Sequence, residues 1–203
     1  MNDRITLAAS QLARMRGMTA MYHRRFFFDV NIATAFSIAL LLLGWWGIPE
    51  AFLLIPVVAL IGAVQTAFDA SYLIFARSYA ARLETFLNDT IGADILVAAK
   101  MEDSYLFPLR SRKVVTVPVA GGFSWFSFVT IFYTMIGIAS FGFGLTLGWE
   151  TLRNGPPGMA TVYLVTLFGL GLAALLTGLW WFVGGEGERR LTVVLDEAFP
   201  QSD

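Results

Sequence analysis

The chain has 203 residues, of which 57% are hydrophobic and 14% charged, with a formal net charge of −1 and a mean hydropathy of +0.66. That is too apolar for an ordinary soluble domain and points to a bilayer. The near-zero charge gives no general pull toward nucleic acid, and the absence of cysteine removes disulfides, thiolate catalysis, cysteine metal ligands and S-palmitoylation together.

Residues 1–25 carry Arg4, Arg14, Arg16, Arg24 and Arg25, while Ile5, Ala8, Leu12, Met15, Met18 and Tyr22 recur at spacings of three and four. This pattern predicts an amphipathic N-terminal helix. His23 is the only histidine and sits beside two arginines, whose charge disfavours a bound metal ion; no metal, cofactor or catalytic residue is predicted. The Met15, Met18, Met21 series reads as the sticky face of the helix. A first transmembrane span follows at about 26–48, too long for a signal-peptide core and with no small-x-small cleavage site after it, so it reads as retained.

"GWWGIPEAF" turns the chain into a second span at about 51–71, completing a hairpin over 26–75. Tyr72, Ala76, Tyr79, Leu83 and Phe86 continue a helical face, and nothing between residues 57 and 88 breaks a helix except Gly62. At 1.5 Å per residue this second helix is roughly 50 Å long, well over the membrane thickness. "NDTIG" ends it, with Gly92 as a left-handed cap. The rest of the connecting segment, 72–121 as a whole, holds a short helical pattern at "ADILVAAKM". It also holds "KVVTVPVA", where Pro118 restricts a strand to an edge or leaves an extended run into the third span. Glu102 and Asp103, with Asp94, read as a solvated loop.

A second hairpin covers 122–183, with spans at about 123–148 and 160–183 joined by "GWETLRNGPPGMA". Its spans are nearly free of charge, and their signal is small residues: Ser140, Gly144 and Gly148 on the first, Ala174 and Gly178 on the second. Small residues every fourth position are the usual seam for close helix packing in membranes. "GFGLTLG" at 142–148 follows no strand and lacks the spacing of a phosphate loop. Thr130, Tyr133 and Thr134 are hydroxyls positioned to line a cavity, although such groups more often bond nearby backbone carbonyls. The tail, 184–203, predicts a short strand at "LTVVL" or an interfacial helix with Phe199 in the headgroups.

The cations set the orientation. Residues 1–25 hold five arginines, Arg77, Arg82, Lys100, Arg110, Arg112 and Lys113 lie between the hairpins, and Arg189 and Arg190 follow the last span; only Arg153 serves the two turns. By the positive-inside rule both termini and the central segment are cytoplasmic, in an inner or plasma membrane, and the two turns are outside. Trp45, Trp46 and Trp149 mark the outer interface.

Counting outward from a turn at Ile48–Pro49 puts Asp29 level with Asp69 and Asn31 with Gln65, ~30 Å from the turn. Gln65 and Asp69 share a face, offset by roughly 200° from the small face of Ala59, Ala63 and Ala67. Two readings follow. In one, Asp29 and Asp69 sit at the cytoplasmic rim, hydrated or paired with Arg24, Arg25 or Arg77. In the other, Asp29, Asn31, Gln65 and Asp69 line a cation or proton pathway.

The expectation is therefore an all-α integral membrane protein of four transmembrane helices in two antiparallel hairpins, with cytoplasmic helical extensions and a heptad-like face suited to a homo-oligomer. No nucleophile has a base within reach, and no enzyme is expected. A homo-oligomeric channel or transport protein is the leading function. The rival is a non-transporting scaffold or sensory protein whose cytoplasmic helices bind a protein partner.

Overall fold

The computed structural model describes residues 2–109, 113–118 and 124–199. The protein is an all-α, membrane-embedded chain. Helix α1 runs over Asn2–Trp45, a 3-10 turn over Pro49–Leu53, α2 over Leu54–Ile91, α3 over Ala98–Tyr105, α4 over Trp125–Arg153, α5 over Met159–Gly178 and α6 over Glu186–Ala198. A wide π-type turn, Leu179–Val183, extends α5. Four stretches are long and apolar enough to cross a membrane: Asp3–Trp45, Pro49–Ile91, Trp125–Arg153 and Met159–Val183. Strand structure among the described residues is limited to β1 (Lys113–Val114) and β2 (Val117–Pro118), paired antiparallel. Proline lacks the N–H needed to extend such a ladder, and Thr116 anchors the tip, accepting on its carbonyl a bond from Ser127 Oγ and sharing one with Thr130 Oγ1 at 2.8 Å.

The turn between α1 and α2 explains their register. Gly47 adopts φ +107°, Gly47 N bonds Gly44 O and Ile48 N bonds Leu43 O at 3.2 Å. This is a Schellman closure, for which the left-handed residue favours glycine. Pro49 then opens the 3-10 turn, whose Ala51, Phe52 and Leu53 are buried, while Trp45 and Trp46 stay exposed. The turn thus centres on Gly47 rather than on Ile48–Pro49, and the two helices face each other about one turn differently from the count made on the sequence.

Two compact units are resolved. One comprises Met1–Arg25, Phe68–Thr130 and Trp180–Asp203, the other Phe26–Ala67 and Ile131–Leu179. In the second unit, helices meet where side chains are absent. A Cβ on Gly62 would stand 2.9 Å from Ala33 Cβ, and one on Gly144 would stand 2.6 Å from Pro56 Cδ. One on Gly148 would stand 2.5 Å from Leu53 Cδ2. Gly144 and Gly148 therefore hold α4 against the start of α2, and α5 adds a bond from Tyr163 OH to Leu53 O at 2.6 Å. The large apolar side chains of α4 and α5 remain mostly exposed, as lipid-facing helices require.

The first unit is built on an antiparallel helical pair, the N-terminal part of α1 and the C-terminal part of α2. On α1, Ile5, Ala8, Leu12, Met15, Thr19 and Tyr22 step by three and four; on α2, Leu73, Ala76, Ala80, Leu83 and Leu87 do the same. Ala8, Met15, Ala80, Leu83 and Leu87 form one buried cluster, with Ile5, Leu12 and Met18 packed against it. Heptad spacing keeps such a seam facing its partner, and the alanines let the helices approach closely. Thr19 fits there because its hydroxyl bonds Met15 O. Tyr22 and Tyr72 stack at 4.9 Å further along the pair.

Of the two alternatives for the tail the helix is found, as α6, and it runs along α2. Trp181 Nε1 donates to Ser71 Oγ at 2.9 Å. At the far end of α6, Arg82 pairs with Asp196 and donates to Phe199 O. Phe199 packs on Tyr79 and Phe86, with ring centroids at 6.1 and 5.6 Å. Those two rings therefore lie at the edge of the α1–α2 seam rather than in it.

Candidate functional site

The polar edge of α2 is where charge concentrates. Arg77, Glu84 and Asn88 stand seven and four residues apart, so they share one face beside the apolar seam, and all three are buried. Each holds a different part of residues 94–109. Asn88 Oδ1 accepts from Ile95 N at 3.2 Å and Leu96 N at 2.9 Å, and its Nδ2 donates to Leu96 O at 2.8 Å. The Asn88 carbonyl also receives Gly92 N and Ala93 N, with Gly92 at φ +74°. Glu84 Oε2 accepts from Ala99 N at 2.9 Å, which satisfies a free amide in the first turn of α3 and places negative charge at its positive end.

Arg77 is the centre of the arrangement. Its Nε donates to Glu102 Oε2 at 3.1 Å, its Nη2 to Asp103 Oδ1 at 3.1 Å and its Nη1 to Phe107 O at 2.9 Å. Its guanidinium lies 4.4 Å over the buried Phe107 ring. Arg16, from α1, bonds both Glu84 and Glu102, so two arginines and three carboxylates tie α1, α2 and α3 together. Phe107 continues an aromatic stack through Phe126 (5.5 Å) to His23 (5.6 Å). A fully buried arginine is tolerated only when its donors are matched; here each guanidinium nitrogen has an acceptor.

Glu102 and Asp103 are therefore not a solvated loop. They are the counter-ions of Arg77, and Arg77 is committed to them. In the sequence Arg77 stands on the polar side of α2, where a charged side chain gives no sign of burial or of acidic partners. Those partners lie 25 and 26 residues away, at no recognisable spacing. Arg16, Glu84, Asn88 and Phe107 likewise gave no motif.

The other sequence-derived positions are distributed as follows. Asp69 is buried and its carboxylate is 3.4 Å from Arg25 Nε; counting from Ile48–Pro49 pairs it with Asp29, and the Gly47-centred turn brings Arg25 opposite it instead. Asp29 is half-buried and Arg24 exposed. In the second unit Asn31 Oδ1 accepts from Tyr133 OH at 2.9 Å, joining α1 to α4. Gln65 is half-buried, and its Nε2 is buried with no hydrogen-bond partner among the described residues. Ala63 is exposed and Ala59 and Ala67 half-buried, the close approach falling on Gly62. Ser140 and Ala174 are half-buried, while Gly178 has nothing within 4 Å of its Cβ position. Thr34, Ser37 and Thr66 bond carbonyls one turn back, which satisfies them within their own helices.

Among the described residues no three His, Asp or Glu side chains converge as ligands of a metal ion. No family model matches the chain, and neither the curated proteins nor the solved structures contain a significant match to it. Chemically, the cluster built around Arg77 is fitted to fasten a segment in place: its cations and carboxylates are paired with one another.

Proposed function

We propose that the protein is a non-transporting scaffold or sensory protein of the inner (plasma) membrane. The two hairpins anchor it, and the first unit forms a rigid helical platform on the cytoplasmic side, together with both termini, for a protein partner. It is not an enzyme and needs no cofactor. The single observation behind this reading is the network of Arg16, Arg77, Glu84, Glu102 and Asp103. Charge that a conduit would present to a permeating ion is consumed there in holding α3 on the α1–α2 pair. The distribution of lysine and arginine supports the sidedness, and the pairing of Asp69 with Arg25 supports a structural use for that acid.

One observation favours the alternative, a homo-oligomeric channel or transporter using Asp29, Asn31, Gln65 and Asp69: the Gln65 amide nitrogen is buried without a hydrogen-bond partner among the described residues. Buried polar groups inside membranes often mark pathways. Proteoliposomes loaded with a pH- or potassium-sensitive dye separate the two. The scaffold reading expects flux equal to that of protein-free vesicles; flux that falls in Asp69→Asn or Gln65→Ala would establish transport instead.

A further inference from the structure

Arg16, Arg25, Arg77, Arg82, Arg189 and Arg190 each pair with a carboxylate. Arg14 and Arg24 do not. Both are exposed on α1, and neither makes a hydrogen bond or an ion pair among the described residues.

Position along the helix separates these two arginines. At 1.5 Å per residue Arg24 lies ~31 Å from Trp45, which matches the ~30 Å of a hydrocarbon core. Trp45 is exposed at the hairpin turn, and between it and Arg24 the helix turns Phe28, Phe36 and Leu42 outward. Phe28 and Met21, four residues after Arg24 and three before it, are 59% and 52% exposed. Residues three and four apart share a face, so Arg24 stands on the lipid-facing side of α1, where the apolar core gives way to headgroups. Arg14 is ~15 Å further along, out in water. The nearest acids are turned elsewhere: Asp29 is ~140° around α1 from Arg24, and Asp69 is paired with Arg25.

The start of α4 marks the same rim independently. His23, beside Arg24 in the chain, lies against Phe126 with ring centroids at 5.6 Å. On either side of Phe126, Trp125 and Phe128 stack at 5.1 Å, and Trp125 is 74% exposed. Phe128 is ~31 Å of helix from Trp149, the separation found between Arg24 and Trp45. Exposed tryptophan at the end of a span belongs to the membrane–water interface.

We infer that Arg24 binds the phosphate of an anionic phospholipid headgroup at the rim marked by Trp125 and Phe128. The guanidinium offers a planar fork of donors that fits two phosphate oxygens. Its flexible stem carries the charge out to the phosphates while covering apolar surface. With no carboxylate to neutralise Arg24, a lipid of net negative charge is favoured over a zwitterionic one by roughly fivefold. The site needs only the embedding of α1 in a bilayer, whichever side the first unit faces and whether or not a protein partner binds there.

Native mass spectrometry of the full-length protein in detergent resolves individual bound lipids and yields dissociation constants for added phosphatidylglycerol and phosphatidylcholine. Arg24→Gln should weaken the tightest phosphatidylglycerol site roughly fivefold, with phosphatidylcholine little changed. Arg14→Gln removes the same charge from the same helix beyond the rim and should leave both constants alone. Arg24→Lys keeps the charge and should retain most of the preference, and unchanged circular dichroism in all three variants separates lost binding from lost folding. Millimolar inorganic phosphate should not displace the lipid. An unaltered constant in Arg24→Gln, an equal loss in Arg14→Gln, or an equal loss for phosphatidylcholine would each overturn the inference. Displacement by inorganic phosphate would overturn it as well, by showing a site for soluble anions. None of these outcomes bears on sidedness or on transport, so failure here is distinct from failure of the scaffold reading.

Discussion

Replacing Arg77 by methionine isolates the charge at the centre of the platform, because the stem over Phe107 is largely kept. The variant loses ion pairs to Glu102 and Asp103 at 3.1 Å each and leaves the Phe107 carbonyl without its donor. Removing one member of a fully buried pair costs about 3–5 kcal/mol. Glu102 and Asp103 are 23% and 37% accessible, so water rehydrates them in part, and about 2–3 kcal/mol is the expected loss. Because α3 buries no residue of its own, the loss falls on local opening of residues 96–109 rather than on the α1–α2 seam. At 1.4 kcal/mol per factor of ten this is roughly a 30- to 150-fold rise in amide exchange. Exchange mass spectrometry in nanodiscs reads it directly at Ala99, Leu106 and Leu109, whose amides bond Glu84, Glu102 and Asp103. Unchanged protection there, or an equal loss throughout residues 73–87 of α2, would refute the view that Arg77 acts as the local fastener.

Three further outcomes are expected. Asn88→Asp keeps the acceptor for Ile95 and Leu96 but removes the donor to Leu96 O and sets a second carboxylate near Asp94; it costs about 2–3 kcal/mol, seen as lost protection over residues 92–97, whereas an unaffected segment would show that the side chain is dispensable. Gly144→Val drives a methyl-bearing carbon into Pro56 and Ile55 and lowers stability by about 1–3 kcal/mol, while Gly178→Ala, with open space around it, is neutral or gains up to ~1 kcal/mol; thermal midpoints in detergent should separate the two, and equal effects would contradict the assigned contact. Hydrogen bonds from Arg190 and then Arg189 hold the Glu186 carboxylate below its ordinary 4.5. A depressed carboxylate stabilises the fold above its unfolded pKa and loses that contribution as pH falls through the folded value. Protection of the first turn of α6, corrected for intrinsic exchange, should therefore hold at neutral pH and decline below the ordinary value of 4.5, and Glu186→Gln should show the decline already at pH 7.

The long elements were legible because each is set by local rules: apolar runs of membrane length, breakers at the turns, and a glycine cap at Gly92. The register of the first hairpin was one turn off because a proline and two tryptophans draw attention to the wrong residue, while Gly47 closes the helix. "LTVVL" alternates like a strand, yet it folds as α6 because Glu186 pairs with Arg189 and Arg190 three and four residues on and because Trp181 and Phe199 pin both ends to α2. Least legible was the cluster around Arg77. Its members come from α1, α2 and the 92–109 segment, and only the fold brings an acid at 102 to cations at 16 and 77. Asp69 and Gln65, conspicuous as isolated polar residues in an apolar run, drew more notice from sequence than Glu84 or Asn88, which sit among other polar residues and do more to shape the first unit.

Sidedness tests the account most directly, since the proposed platform for a protein partner requires the first unit to face the cytoplasm. Single cysteines at Glu50 and Asn154, both exposed at the hairpin turns, and at Thr90, exposed at the end of α2, are treated with a membrane-impermeant maleimide in intact spheroplasts. The account predicts labelling at 50 and 154 without permeabilisation and at 90 only after it. Labelling of position 90 in intact spheroplasts, with 50 and 154 protected, would contradict it.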